Sequence, residues 1–218
     1  IKMLKQEKVN DRFVTIYKKN LWSSTESKSA EGSEINQTRN LSIWLVKNIK
    51  KFKVNIFVDA PCGDLNWMKK ILKKINIKYI GIDIVPQVIK KNKRIFSSKK
   101  VKFEIKDICK DKIPNCDLIM VRDCLFHLSY SDINKFLINL KKTKYKYLLT
   151  TTHVGKDIIN NDIISGDFRI FDLFSPPFNF KKKNVIEKIN DFSFGYKHNR
   201  KIMILIQKKD VPESIKFE

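Results

Sequence analysis

The stretch "FVDAPCGDLNWM", from Phe57 to Met68, begins as an apolar run, breaks at Ala-Pro-Cys-Gly-Asp and resumes as a helical pattern. In an open parallel sheet, ligands bind outside the carboxyl ends of the strands, and the turn after the first strand commonly supplies this site. The Pro-Cys-Gly turn could hold a nucleophilic cysteine, a metal or a small cofactor. The remainder of the chain is needed to choose among these three.

Strand-like and helix-like runs alternate from Val54 to His153. Near-continuous apolar strands separated by helical segments of about ten residues are typical of βαβ units in a parallel sheet that is covered on both faces. The pattern therefore predicts an α/β, doubly wound, mostly parallel sheet. In chain order the runs are "NIFVDA", "NWMKKILKKI", "KYIGIDI", "PQVIKKNKRIF", "VKFEIKD", "CDLIMVRD", "SDINKFLINLKK" and "YKYLLTTTH".

A helical extension is predicted before this core. A loosely helical spacing of apolar residues between Lys2 and Asn20 predicts one amphipathic helix. A polar segment from Ser23 to Gln37 follows, which is either a linker or a lid over a ligand, and "TRNLSIWLVKNIKKF" then predicts a second helix. The apolar residues of the first helix are Leu4, Val9, Phe13, Val14 and Tyr17.

The periodicity fails after His153 and returns only at about Asn190, which predicts a long irregular insertion. Two strand-like runs, "DFSFGYK" and "RKIMILIQKK", close the chain on either side of His198-Asn199. A connection this tight requires an antiparallel pair. We therefore expect an N-terminal extension and lid at 1–50 and a main domain at 51–218, with the insertion at about 154–190.

The size and composition of the chain favour a soluble protein. With 218 residues, 42% of them hydrophobic, it fits one domain with a modest elaboration. The opening "IKMLKQEKVN" lacks an apolar core, and "KIMILIQ" is far shorter than the roughly 20 residues of a membrane helix. We expect a cytoplasmic protein without membrane contact. The cysteines form no CxxC pairs, which predicts a reducing compartment and no metal site; they are Cys62, Cys109, Cys116 and Cys124.

The formal charge of +22 raises the question of a nucleic-acid partner, because Lys and Arg neutralise phosphates. Of the 45 basic residues only six are Arg, and the lysines are spread along the chain. Solvated lysine-rich faces explain this pattern as well as a binding site does. Nucleic acid is therefore a possible partner but is not favoured.

Three predicted strands end in acidic residues. Asp59 and Asp64 flank the first turn, where they would repel a pyrophosphate and suit a cofactor with a cationic amino-acid end. Asp83 stands at the end of the second strand, where a carboxylate accepts hydrogen bonds from ribose hydroxyls. Asp107 follows the third strand and could accept from an adenine amino group. Single aspartates are common in turns, but three in corresponding positions indicate a ligand site.

At these residues the chain resembles the class I S-adenosylmethionine-dependent methyltransferases. The resemblance rests on "FVDAPCGD", "YIGIDIV", "FEIKDI" and "DLIMVRD", and covers about Asn55 to Thr152. It extends to a bacterial branch associated with surface-glycan and small-molecule modification, whose turn reads close to "DAPCGDxxWM". It implies a seven-stranded, Rossmann-like sheet with an antiparallel C-terminal hairpin, and S-adenosylmethionine as cofactor. The residues implied in cofactor binding are Asp59, Pro61, Gly63, Asp83, Ile84, Asp107, Ile108 and Arg122.

The chain departs from the family's usual GxGxG turn, because Pro61 and Cys62 stand in its middle. A Pro-Cys pair is the nucleophile of cytosine-carbon methyltransferases, but there it follows the fourth strand. Cys62 is therefore expected to pack in or line the turn. Cys124 could act as a nucleophile only with a base and an orienting group beside it.

The acceptor is expected to face the residues after the fourth and fifth strands. Candidate catalytic residues are Asp123, His127 and His153, with His127 the first candidate base because its ordinary pKa suits proton removal. Arg122, Asp123, His127, His153 and Arg169 are the candidate acceptor contacts, with Arg169 as an anion clamp. The alternatives are that Arg122 and Asp123 merely form a pair and that the histidines are packing residues. The later "SPPF" is not the signature of amino-methylating enzymes, because Ser175 lies far beyond the fourth strand.

The predicted function is methyl transfer to an oxygen or nitrogen of a small, anionic acceptor, phosphorylated or sugar. Two alternatives stay open: methylation of RNA, and a catalytically silent protein that binds S-adenosylmethionine. The sequence does not fix the oligomeric state.

Overall fold

The computed structural model describes residues 9–22, 24–191 and 200–216 of the chain. Seven strands form one sheet in the order β3-β2-β1-β4-β5-β7-β6. Neighbours among the first five are parallel, and β7 is antiparallel to both β5 and β6. The strands are β1 (Ile56–Asp59), β2 (Lys78–Asp83), β3 (Val101–Ile105), β4 (Leu118–Val121), β5 (Tyr147–Val154), β6 (Val185–Asn190) and β7 (Arg200–Gln207).

Helices cover both faces of the sheet. One apolar core joins α2, α3 and α4 to the sheet, and a second joins α5 and aromatic residues of segment 155–184 to the opposite face. The central strands β1, β4, β5 and β7 are buried on both sides for this reason, which explains their near-continuous apolar sequences. The helices are α1 (Val9–Lys19), α2 (Arg39–Lys51), α3 (Met68–Leu72), α4 (Pro86–Phe96) and α5 (Tyr130–Lys141).

The predicted fold class is confirmed: the sheet is doubly wound, mostly parallel and seven-stranded, and its last strands are antiparallel. The predicted C-terminal boundary of the long irregular insertion is wrong. Strand β6 occupies residues 185–190, which the sequence analysis left irregular. Half of its residues are exposed, among them the apolar Ile186, and its pairing shifts register between Val185 and Glu187, so the strand pattern is weak.

The helix after the first turn begins later than expected. Leu65, which directly precedes the predicted helical run "NWMKKILKKI", has a φ of +58°, and α3 runs only from Met68 to Leu72. A left-handed residue cannot continue a helix. The turn therefore extends to Trp67. Its backbone occupies the place that the N-terminal turn of a longer helix would have taken.

Some predictions lie outside the described residues, namely Leu4, Ser23, the run from Phe192 to Lys197 and the turn at His198-Asn199. The predicted first helix is found as α1 from Val9 onwards. Within the described ranges, no helix is both long and apolar enough to cross a bilayer.

Candidate active site

A cavity lies at the carboxyl ends of the parallel strands, between the sheet and the N-terminal segment. It gathers most of the residues that the sequence analysis proposed for a site. Those that line it are Asp59, Pro61, Gly63, Asp83, Ile84, Asp107, Ile108, Arg122, Asp123 and His127. His153 and Arg169 are not among its lining residues.

Two buried carboxylates define the floor of the cavity. Asp83 accepts from the backbone N–H of Gly63 at 3.1 Å and of Val85 at 2.9 Å, and Asp59 accepts from the hydroxyl of Tyr79 at 2.6 Å. Burial raises the pKa of Asp59 to about 7 and that of Asp83 to about 6, because desolvation disfavours the charged form. The ionised form of each acid is therefore favoured by a cation or a hydrogen-bond donor that approaches from the cavity.

Gly63 sits where a side chain would not fit. Its φ is +54°, and a Cβ there would lie 2.5 Å from Oγ of Ser29. Its carbonyl accepts from Nδ2 of Asn92 at 2.8 Å. The turn is thus held from both sides, with its backbone close to the cavity.

Cys62 packs in the turn, as predicted. It is buried, its N–H donates to the carbonyl of Ile82 at 2.9 Å, and Nδ2 of Asn92 lies 3.8 Å from its sulfur. Burial raises its pKa, and also that of Cys124, above the range in which a thiolate forms. Neither thiol has the environment of a nucleophile.

The polar segment before the core folds over the turn, which favours the lid interpretation over the linker. Asp64 receives the hydroxyl of Ser27 and the N–H of Lys28, each at 3.0 Å. In return the N–H of Asp64 donates to Oγ of Ser29 at 2.9 Å. The side chain of Asn66 also donates to the carbonyl of Ser33 at 3.2 Å. We call residues 24–38 the lid.

Asp107 and Ile108 lie where the third strand has just ended. Oδ1 of Asp107 accepts from the N–H of Cys109 at 2.9 Å, and Oδ2 lies 3.2 Å from Nζ of Lys110. Ile108 is buried and lines the cavity together with Ile84. This end of the cavity combines a hydrogen-bond acceptor, the Asp107 carboxylate, with apolar walls, which is the lining that a planar heterocycle requires.

Arg122 and Asp123 line the cavity and also belong to a buried charge network. Arg122 donates through Nε and Nη2 to the carboxylate of Asp191, at 2.9 and 3.1 Å, and through Nη2 to the carbonyl of Gly32 at 2.7 Å. Asp123 contacts Lys201 at 2.6 Å and Arg122 at 3.2 Å. These cations keep the pKa of Asp123 well below its usual range, although burial opposes them. Asp123 is therefore a weak base, and Arg122 ties the lid to the sheet.

His127 lines the cavity, and one of its ring nitrogens is fixed by a hydrogen bond. It lies in a 3₁₀ turn, Leu125–His127, and its Nδ1 is 2.8 Å from the carbonyl oxygen of Asp167. Because a carbonyl only accepts, Nδ1 carries the proton and Nε2 is unprotonated. Burial lowers the pKa of His127 to about 4, so the ring is neutral at physiological pH.

His153 and Arg169 pack beneath the site. Nδ1 of His153 accepts from the N–H of Phe171 at 3.4 Å, and its ring lies among Phe126, Phe168 and Phe171. Arg169 is buried, with its guanidinium 4.9 Å from the ring centre of Tyr130, and donates to the carbonyl of Leu125. The sequence predicted that both side chains would contact the acceptor, but neither lines the cavity.

Sequence reasoning missed the roof of the cavity. Phe13 and Tyr17 of α1 line it together with Trp22 and Lys28. The ring of Trp22 stacks on that of His127, with centroids 4.9 Å apart and planes at 28°. The apolar spacing of the first helix was visible in the sequence, but nothing there showed which partner the helix would cover.

The described residues contain no group of three or more His, Cys, Asp or Glu side chains that could hold a metal ion.

No protein-family model and no curated protein matches the chain. Solved structures do. A S-adenosylmethionine-dependent methyltransferase from Leishmania major superposes with a TM-score of 0.64 at 16% identity, covering 93% of this chain and 89% of that one. Magnesium protoporphyrin IX methyltransferase from Synechocystis, with bound S-adenosylhomocysteine, gives 0.62 at 11% identity, with 91% and 97% covered.

Human N-acetylserotonin methyltransferase, in complex with S-adenosylmethionine, gives a TM-score of 0.59 at 15% identity. The match covers 90% of this chain and 59% of the human one, so this chain spans less than two thirds of that protein. At such identities the likeness concerns architecture. The chain therefore has the fold of the S-adenosylmethionine-dependent methyltransferases.

Proposed function

We propose that the protein is a S-adenosylmethionine-dependent methyltransferase that modifies an oxygen or nitrogen of a small acceptor. The observation that carries the proposal is the pair of buried carboxylates in the cavity floor, Asp59 and Asp83, whose pKa values burial raises. A cationic amino-acid end beside Asp59 and ribose hydroxyls beside Asp83 would supply the charge and donors that burial has withdrawn. Asp107, with its apolar neighbours, suits the adenine.

The cofactor would supply a methyl group bound to a sulfonium sulfur. When the acceptor attacks this methyl in line, the carbon–sulfur bond would break and the sulfur would become a neutral thioether. The chain then has to align the acceptor, exclude water and remove one proton. The lid and α1 enclose the cavity, so they serve the first two tasks.

His127 is the proposed base. Its unprotonated Nε2 can take the proton of an acceptor hydroxyl while the new carbon–oxygen bond forms, or the proton of an acceptor ammonium before the freed amine attacks and forms the carbon–nitrogen bond. The proton ends on His127, which returns it to solvent when the product leaves. A low pKa keeps the ring unprotonated at neutral pH but also makes it a weaker base, so its contribution rests on its position and its free lone pair. Asp123 and His153, the other two candidates, lack this combination of access and free lone pair.

The acceptor is proposed to be anionic, phosphorylated or a charged sugar, with Lys28 as its anion contact in place of Arg169. Lys110 and Lys135 of the cavity wall are paired with Asp107 and Asp132. Lys28 forms no ion pair within the described residues, and its Nζ lies 5.6 Å from the ring centre of Tyr17. The cation is therefore available on the lid, above the turn.

The test is transfer of a labelled methyl group from S-adenosylmethionine to paired acceptors, each phosphorylated sugar beside its neutral parent. We expect label in phosphorylated acceptors, and Lys28→Gln to raise KM for them while kcat changes little. Lys18→Gln is the matched control, since Lys18 is exposed on α1 and does not line the cavity. Cofactor binding without label in any acceptor would favour the silent binding protein instead.

A further inference from the structure

The fold gathers basic residues that are scattered in the sequence. The three helices on one face of the sheet, α2, α3 and α4, contain no acidic residue. Their ten basic residues form what we call the basic face: Arg39, Lys47, Lys50, Lys51, Lys69, Lys70, Lys90, Lys91, Lys93 and Arg94. Nine of these are exposed, and Lys69 is half-buried.

Charges on the opposite face are mixed. Helix α5 has Asp132 beside Lys135, and segment 155–184 contains aspartates as well as lysines. Lysines placed only for solubility would be interspersed with acids on every face. The separation of basic from acidic residues is therefore specific to the basic face and does not follow from the composition alone.

The basic face carries little internal neutralisation. Within the described part of the chain, its only ion pair joins Lys51 to Glu187 of β6, at 2.7 Å. The face extends from α4, which packs on β2 and β3 at one edge, to α2, which contacts β6 at the other. Seven strands at about 4.8 Å spacing give a width of roughly 30 Å, enough to follow several phosphates of one strand.

We infer that the basic face binds the phosphodiester backbone of a nucleic acid. The inference does not depend on the proposed methyl transfer. No aromatic side chain of these helices is exposed, so base stacking has no platform and binding is expected to be independent of sequence.

An anionic membrane fits the face less well. A helix that lies in a membrane interface inserts a continuous apolar stripe. Here the apolar stripes of the helices, such as Leu41 and Leu45, are buried against the sheet. The only large apolar residues exposed on the three helices are Ile43 and Ile95, one on α2 and one on α4.

The test compares two variants of equal net charge by fluorescence anisotropy with a labelled 20-base-pair RNA duplex. The face variant combines Lys47→Gln, Lys70→Gln, Lys90→Gln and Lys93→Gln. The control combines Lys142→Gln, Lys144→Gln, Lys156→Gln and Lys183→Gln, which are exposed residues outside the basic face. None of the eight ammonium groups has a carboxylate partner within the described residues, so both variants should fold; thermal unfolding checks this.

We expect the wild type and the control to bind with affinity that falls linearly in log[salt]. The face variant should bind at least about tenfold more weakly, with a slope shallower by up to about 3.6, which is about 0.9 for each of the four lost phosphate contacts. Equal losses in both variants would overturn the inference, because net charge alone would then explain binding. So would absence of RNA binding, or binding confined to vesicles of phosphatidylserine and phosphatidylcholine.

Discussion

Nδ1 of His127 donates to the carbonyl oxygen of Asp167 across 2.8 Å, which leaves Nε2 unprotonated in a residue that lines the cavity. His127→Asn should therefore lower kcat by about 10²- to 10⁴-fold, the usual effect of losing a general base, with little change in cofactor affinity. His153→Asn is the comparison, because its ring lies outside the cavity. A larger loss of kcat in His153→Asn, with the fold intact, would transfer the role of base to His153.

Cofactor binding should strengthen as pH rises. Burial raises the pKa of Asp59 to about 7 and that of Asp83 to about 6, so both are protonated at pH 5 and ionised at pH 8. A cationic ligand requires the ionised forms, so Kd for S-adenosylmethionine should fall at least about tenfold between these pH values. Calorimetry near pH 6.5 in two buffers of different ionisation enthalpy should show proton release. Proton uptake, or a Kd that does not change, would contradict this account.

The network around Arg122 should be important for stability. Asp191 is fully buried and holds Nε of Arg122 at 2.9 Å, so Asp191→Ala leaves a buried cation without its main partner. Such a change costs about 3–5 kcal/mol in the free energy of unfolding, measurable by urea denaturation. Lys51→Ala breaks only an exposed pair and should cost less than about 1 kcal/mol. Similar losses in the two variants would show that the network is not a stabilising one.

Gly63 should resist substitution. Gly63→Ala places a side chain at a φ of +54°, which costs about 1–2 kcal/mol, and pushes it against Ser29. We expect weaker cofactor binding by about tenfold or more, partly restored when Ser29→Gly is added. Gly155→Ala, at an exposed position outside the cavity, is the control. Normal binding by Gly63→Ala would mean that the turn and lid do not shape the site.

Much of the fold could be predicted from the sequence because its strands are buried on both faces. Runs such as "CDLIMVRD" are apolar throughout and end in charged residues, so both the strand and its end were visible. The acids at the strand ends, Asp59, Asp83 and Asp107, were found by the same reasoning. Strand β6 was missed because half of its residues face solvent and its register shifts.

The lid, the roof and the basic face depend on tertiary contacts. Serines such as Ser27 and Ser29 have no periodicity, and only the approach of Asp64 shows what they bind. Arg169 resembled an anion clamp in the sequence, but the ring of Tyr130, which lies 4.9 Å from its guanidinium, comes from a distant segment. The lysines of α2, α3 and α4 looked dispersed in the sequence because a strand of the sheet lies between each helix and the next.

The most direct test of the central claim is calorimetric titration of S-adenosylmethionine into the wild type, Asp83→Ala and Glu213→Ala. Asp83 lies in the cavity floor, whereas Glu213 is an exposed carboxylate elsewhere. We predict micromolar binding to the wild type and to Glu213→Ala, and a loss of about 100-fold in Asp83→Ala, equivalent to two hydrogen bonds to a charged group. No binding to the folded wild type, or equal affinity in all three proteins, would contradict the proposed cofactor site.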